Sequence, residues 1–320
     1  MSTIINELKS QIKGKGIKIV FPESNDERIL QAAERLSREG LLTPVLIKTE
    51  EGIDSKFDLS KCDIIDPNDY DQFDDMVEAF VERRKGKNTK EEALKLLKVE
   101  NYFGTMLVYM NKAAGLVSGA AHSTGETVLP ALQIIKTKPG VSRTFGYFLM
   151  VRDDEKYIFG DCAINPNPTS ENLAEFAVES AKAAEMFGIT PRVALLSFST
   201  NGSADTEESQ KVKKAVELAQ KMDSGYMIDG EMQFDAAFVP RVGEKKYPDS
   251  SVAGQANTFV FPDLNSGNIG YKIAQRLGNF EAMGPILAGL NQPVNDLSRG
   301  CDAEDAYNTA IITAAQTLNK

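Results

Sequence analysis

Short apolar runs bounded by turn residues alternate along the chain with longer segments whose apolar positions recur every three to four residues. This alternation predicts strands and helices in turn, and hence a parallel sheet covered by helices. "IKIVF" (17–21), "TPVLI" (43–47) and "GLVSGA" (115–120) read as buried strands. "SNDERILQAAERLSREG" (24–40) reads as a helix, with Ser24 and Glu27 spaced as a capping box and Gly40 as its stop. Helical patterns cover 68–85 and 89–98, where Thr89 and Glu92 are again box-spaced, and 101–113. The N-terminal "MSTIINELKSQIKGKG" reads as a short amphipathic helix without a signal-peptide core.

The pattern changes near residue 140. "SRTFGYFLMV" (142–151) and "YIFGDCAI" (157–164) read as a hairpin. A helix (169–187), a strand (192–199), the small-residue loop "TNGSAD" and a helix (206–222) follow. "DAAFV" (235–239) reads as a further short strand, and "NTFVFP" (257–262) with 266–278 as one more strand–loop–helix unit. The expected division is residues 1–140 plus 292–320 as one α/β domain and 141–291 as a second, with the last helix returning to the first. That would put 294–308 at a crossover between domains, where clefts form. "KIVFPES" (18–24) and "TFVFPDL" (258–264) echo each other as strand, proline and acid. Strands often end this way, so the echo by itself carries no function.

Composition narrows the chemistry. The chain has 320 residues, is 42% hydrophobic, and carries 36 basic against 46 acidic side chains, a formal charge of −10. That balance argues against nucleic acid or an anionic membrane as the main partner. No apolar run approaches the roughly 18 residues of a membrane span. Cys62, Cys162 and Cys301 lack metal-ligand spacing and suggest no disulfide framework, so a cytoplasmic protein is expected. Cys162 reads as a small buried hydrophobe. With His122 the only histidine, zinc-hydrolase and Ser-His-Asp chemistry have little room.

Four stretches carry polar chemistry, and each also has an ordinary structural reading. In "VNDLSRGCDAEDAYN" (294–308), Asp302 suits an N-cap and Asp305 the third helical position. Upstream, Ser298, Arg299 and Gly300 offer a hydroxyl, an anion clamp and close backbone approach beside a helix start. In "SGAAHSTGE" (118–126), Ser123 and Thr124 at a helix start either cap it or hold a phosphate. Arg276 in "NSGNIGYKIAQRLG" (265–278) faces either a cleft or solvent, and the glycines match no dinucleotide fingerprint. "ERRKGK" (82–87) is either a solvated helix end or a polyphosphate contact, standing out in an acidic chain.

Taken together, "FPESNDERIL", "ERRKGK", "GLVSGAAHST", "PALQIIKT", "RVALLSFST", "DGEMQFDAAFVP", "GNIGYKIAQRLGNFEAMGPILAGLN" and "PVNDLSRGCDAEDAYN" resemble the phosphate acetyltransferase (phosphotransacetylase) family, in family order over about residues 17–316. The resemblance implies two α/β domains around a cleft, related to isocitrate/isopropylmalate dehydrogenases. It also implies a homodimer, with the second domain expected to carry the dimer contact. The implied reaction interconverts acetyl phosphate plus coenzyme A with acetyl-CoA plus phosphate, with no metal in the chemical step, no permanently bound cofactor, and CoA as a substrate. It makes Asp305 the base for the CoA thiol, Arg299 the acyl phosphate and oxyanion clamp, and Ser298 its positioning partner. Arg84 and Arg276 become substrate arginines. One position departs: the family commonly has "TVRPALQ" where this chain has "TVLPALQ", so Leu129 stands where an arginine serves the CoA 3′-phosphate. The departure leaves a longer acyl group, as in phosphate butyryltransferase, as the alternative. A decarboxylating dehydrogenase of this architecture would need NAD(P) and a cluster of metal-binding aspartates, and the sequence offers no convincing one.

Overall fold

A computed structural model describes residues 3–49, 52–53, 56–222 and 225–318. The chain forms two compact units, residues 1–138 with 290–320, and 139–289.

The first unit opens with helix α1 (Thr3–Ile12), strand β1 (Lys18–Phe21), α2 (Glu27–Arg38), β2 (Thr43–Ile47) and β3 (Asp63–Ile65). Helices α3 (Phe73–Arg84), α4 (Lys90–Leu96) and α5 (Glu100–Tyr109) follow. Strand β4 (Gly115–Ser118) then leads into α6 (Thr124–Pro130), which runs on into a π-helical turn (Ala131–Ile135). The Thr89–Glu92 capping box is present at α4. At α2 the spacing misled: Asp26, not Ser24, caps the helix by accepting the Arg28 amide, while the Ser24 hydroxyl donates to the carbonyl of Ile47.

In the second unit, β5 (Phe145–Arg152) and β6 (Glu155–Gly160) form the expected hairpin, followed by α7 (Ser170–Met186), β7 (Arg192–Leu196) and α8 (Glu207–Met222). The expected strand at 235–239 is instead helix α9 (Phe234–Phe238), and the strand lies just before it, at β8 (Met227–Met232). Helix α10 (Pro240–Lys246), β9 (Thr258–Val260), α11 (Leu264–Gly278) and β10 (Glu281–Ala288) complete the unit. Its six-stranded sheet, ordered β10-β5-β6-β9-β7-β8, is mixed, with β5 antiparallel to both neighbours. A buried acid, Asp161, follows β6 and accepts the amides of Gly146, Ala163, Ile164 and Asn165. Cys162 is fully buried.

The chain then re-enters the first unit with β11 (Val294–Asp296) and α12 (Ala303–Gln316). The first unit's sheet is ordered β11-β4-β1-β2-β3, all pairs parallel. β4 therefore lies between β1 and β11, and the loops after all three emerge at one sheet edge, the usual ligand edge of a parallel sheet. Ile19, Val20, Phe21, Leu116, Val117 and Val294 fill the sheet's core. Helix α12 packs on it through Ala306, Ala310, Ile311 and Ala314.

Candidate active site

Just beyond β1, Glu23 is 1% exposed. Its carboxylate lies beneath the loop that follows β4. Oε2 accepts the amides of Gly119 and Ala120 (3.0 and 2.9 Å), and Oε1 those of Ala121 and His122 (2.8 Å each). Oε1 also lies 2.8 Å from Nδ1 of His122. Burial opposes the charge on Glu23, but the His122 ring and the amides outweigh it and hold the carboxyl below its ordinary range. Conversely, the Glu23 carboxylate raises the pKa of His122. Gly119 is essential to this geometry: its φ is +116°, and a Cβ there would stand 2.5 Å from both Asp296 Oδ1 and the Leu297 carbonyl oxygen.

Next comes the start of α6. Ser123 is its N-cap in a closed capping box, and both its hydroxyl and its amide donate to Glu126 (2.7 and 2.8 Å). The Thr124 hydroxyl donates to Oδ2 of Asp296 (2.7 Å). Both hydroxyls expected to face a phosphate thus already have internal acceptors, as do the amides of residues 119–123.

Asp296, the last residue of β11, is 2% exposed, and its other oxygen, Oδ1, is buried and has no hydrogen-bond partner among the described residues. Burial pushes its pKa up to about 6; the Thr124 and Thr127 hydroxyls oppose this and the Glu23 charge adds to it. Beyond it, the Leu297 amide donates to the Ser118 carbonyl (2.7 Å), and the exposed Ser298–Gly300 turn begins. Ser298 Oγ accepts the Gly300 amide (3.2 Å). The carbonyls of Arg299 and Cys301 each accept from one nitrogen of the Arg28 guanidinium (2.9 Å), whose other terminal nitrogen donates to the Ala120 carbonyl (2.8 Å) and to Asp26. A single guanidinium therefore ties the loop after β4 to the loop before α12.

At α12 the box anticipated from spacing is closed: Asp302 Oδ1 accepts the Asp305 amide (2.9 Å) and Asp305 Oδ2 accepts the Asp302 amide (3.1 Å). Asp305 is exposed as a residue, but its carboxyl turns back on the helix start. The loss of water there raises its pKa, the Asp302 amide opposes, and the Asp302 and Glu304 charges add to the rise. The neighbouring turn is braced by Arg35, which pairs with Glu304 and lies 3.8 Å over the Tyr307 ring. Arg299 keeps its side chain exposed; the Ser123 amide and hydroxyl lower the pKa of Glu126, and the His122 and Arg299 charges add to that. Ser123, Thr124, Ser298, Arg299 and Asp305 are thus brought to one edge of the first unit.

The remaining candidates separate. Arg83 donates to the carbonyls of Ile134 and Ile135 (2.6 and 2.9 Å) and so closes the π-helical turn, whereas Arg84 donates to Asn88 (2.8 Å). Burial, then the charges of Arg83, Lys85, Lys87 and Arg84, lower the pKa of Lys136, which marks a convergence of cations. Leu129 is half exposed. Arg276 is exposed in the last turn of α11, within the second unit. Glu23, Arg28 and Asp296 were missed in the sequence. An acid just after a buried parallel strand was the available signal for two of them. Its apparent echo, Asp263, is only the N-cap of α11.

The family model described as "Phosphate acetyl/butaryl transferase" matches residues 3–314. The chain is 59% identical to a phosphate acetyltransferase of Bacillus subtilis (strain 168), over 99% of this chain and 100% of that one. It superimposes on a phosphotransacetylase from Streptococcus pyogenes with a TM-score of 0.97 at 57% identity, covering 100% of both chains. EutD phosphotransacetylase from Staphylococcus aureus gives 0.93 at 57% identity, covering 98% of both chains. More distant likenesses show the fold alone. A branched-chain phosphotransacylase from Enterococcus faecalis V583 gives 0.70 at 19% identity, covering 94% of this chain and 99% of that one. A Salmonella typhimurium protein assigned as a 4-hydroxythreonine-4-phosphate dehydrogenase gives 0.53 at 14%, covering 93% and 99%. The expected α/β architecture shared with dehydrogenases is therefore found.

Proposed function

This chain belongs to the phosphate acetyl/butaryl transferase family, and we propose that its first unit interconverts acetyl phosphate plus CoA with acetyl-CoA plus phosphate by direct attack of the CoA thiol. The observation that carries the mechanism is the start of α12, where Asp305 has an elevated proton affinity on a box-closed helix turn beside Ser298 and Arg299. A thiol of pKa about 8.5 is mostly protonated at neutral pH, while the thiolate is the nucleophile. Asp305 takes that proton as the sulfur attacks, and its raised pKa makes it a better base than an ordinary aspartate. Arg299 holds the acyl phosphate and stabilises the oxyanion, a contribution of about 3–4 kcal/mol for a good contact. Ser298 positions it.

The cations around Lys136 support a polyphosphate contact for CoA through Arg84, since Arg83 is committed to backbone. With Leu129 in place of an arginine, the CoA 3′-phosphate relies on Arg84 with Lys136 or Lys138, and Leu129→Arg should lower the CoA KM. The protein works in the cytoplasm as a homodimer with no resident cofactor. Support for a dimer comes from the stripe Ile269, Ile273 and Leu277 on α11, respectively 57%, 53% and 81% exposed. Ile273→Asp should yield a monomer in sedimentation equilibrium. Among the described residues, no helix is long and apolar enough to cross a membrane.

The test is thioester formation from acetyl phosphate and CoA by wild type and Asp305→Asn. A wild type that makes no acetyl-CoA sinks the reaction. An Asn variant at full rate sinks only the base. A faster rate with butyryl than with acetyl substrate would move the acyl preference.

A further inference from the structure

The proton ledger of this reaction has an open side. As sulfur bonds to the acetyl carbon and the carbon–oxygen bond to phosphate breaks, the thiol proton passes to Asp305. Acetyl phosphate is a dianion at neutral pH, so phosphate expelled without a proton would leave as the trianion, a far stronger base than the dianion. A proton donor beside the departing oxygen removes that barrier. Arg299 cannot do this, because arginine does not give up its proton.

We propose that His122 is a catalytic residue of the acyl transfer: its Nε2–H donates to the departing phosphate oxygen and, in the reverse direction, Nε2 accepts the proton of the attacking phosphate. The proposal rests on the reaction put forward above. Nδ1 faces the Glu23 carboxylate at 2.8 Å, and an ionised carboxylate only accepts, so Nδ1 carries hydrogen. Nε2 is then the nitrogen free to exchange a proton, and among the described residues it has no hydrogen-bond partner. The side chain is 26% exposed, so a ligand can reach it. One guanidinium ties its loop to that of the acyl phosphate clamp: Arg28 donates to the carbonyls of Ala120, Arg299 and Cys301. Fixing the loop by five N–H groups on one buried acid holds the ring in place before substrate arrives. The balance closes: the phosphate leaves as the dianion, the imidazole regains a proton from solvent, and Asp305 releases one to it.

The charges that act on the ring are Glu23, which faces Nδ1, Glu126 on α6 and Glu100 on α5, and Arg299 acts in turn on Glu126. Glu23 first, then the charges of Glu126 and Glu100, raise the proton affinity of the ring against the loss of water around it. Because the chain has one histidine, NMR titration of the intact enzyme reads this ring without ambiguity. With acetyl phosphate and CoA, kcat/KM should fall on the alkaline side with the pKa found by NMR. His122→Asn keeps a donor toward Glu23 and offers nothing at Nε2. It should lower kcat by about 100-fold, remove the alkaline fall, and leave the CoA KM and the melting temperature near wild type. An alkaline fall in wild type that does not match the NMR titration overturns the proposal. So does an Asn variant within threefold of wild-type kcat, or one that is slow but keeps the alkaline fall. These outcomes leave the acyl transfer itself standing, which fails only if wild type forms no acetyl-CoA.

Discussion

Glu23 and Asp296 make a controlled comparison within one unit. Glu23 follows β1 and Asp296 ends β11, the two strands that flank β4, and they grip the loop beyond β4 from opposite sides. They are equally buried, at 1% and 2% exposure. Yet one has its pKa lowered and the other is raised to about 6. The difference lies in the donors. Glu23 faces four amides and an imidazole N–H, whereas Asp296 faces hydroxyls alone and, among the described residues, its Oδ1 has no hydrogen-bond partner. Burial sets the penalty for a carboxylate, and the number of N–H groups aimed at it decides whether the charge survives.

The sharpest way to break this contrast is Glu23→Gln. It places an NH2 group against N–H donors and should destabilise the fold by about 3 kcal/mol or more, read from urea denaturation at pH 7. The loss should shrink as pH falls below the unfolded carboxyl value of 4.5. A folded pKa below the unfolded one gives stability that is present above the unfolded value and lost as pH falls through the folded one. Gly119→Ala should be nearly as severe, at about 3 kcal/mol, because the methyl meets the Asp296 carboxylate and Leu297 backbone at a positive φ. Full wild-type stability for this variant would mean the loop does not sit against β11 as described.

Asp296→Asn should do the opposite of Glu23→Gln. A rise from 3.8 to about 6 is roughly two units, or about 3 kcal/mol of penalty for the charged form. With the folded pKa above the unfolded one, wild-type stability is fully present below pH 3.8 and declines until pH passes about 6. The Asn variant lacks that decline, so its melts should be more stable than wild type at pH 8 by up to about 3 kcal/mol, with the gap closing toward pH 4. An equal pH dependence in both proteins would show that Asp296 is not the titrating group. The smallest effect belongs to Thr124→Val, which removes the hydroxyl 2.7 Å from Asp296 Oδ2. It should cost about 1 kcal/mol and extend the decline to pH values above about 6.

The parts of this site that could be read in the sequence were those fixed by local spacing. Asp302 and Asp305, three residues apart before an apolar helix, announced their capping box, and the contiguous motif strings pointed to Ser298 and Arg299. Ser24 and Glu27 had the same spacing, but a better acceptor, Asp26, stood closer to the helix and the Ser24 hydroxyl found Ile47 instead. β3 and β11, three residues each, are too short to show a period, and the acids in "MIDGEM" disguised β8 while "DAAFV" resembled a strand. Glu23, Arg28 and Asp296 act through partners roughly 90 to 270 positions away, a kind of information that no local pattern contains.

The chain's late return to its first unit also matters for how the molecule is made. Synthesis is vectorial, and domains tend to fold as they emerge. The whole of the second unit has left the ribosome before Val294 and Asp296 can pair with β4, or α12 can cover the sheet. A nascent chain therefore holds Glu23 and its loop without Arg299 or Asp305, and Arg28 waits for two of its carbonyls until the final turns arrive. On the proposed mechanism, a copy cut before Val294 keeps four of that sheet's five strands and lacks the residues proposed to do the chemistry.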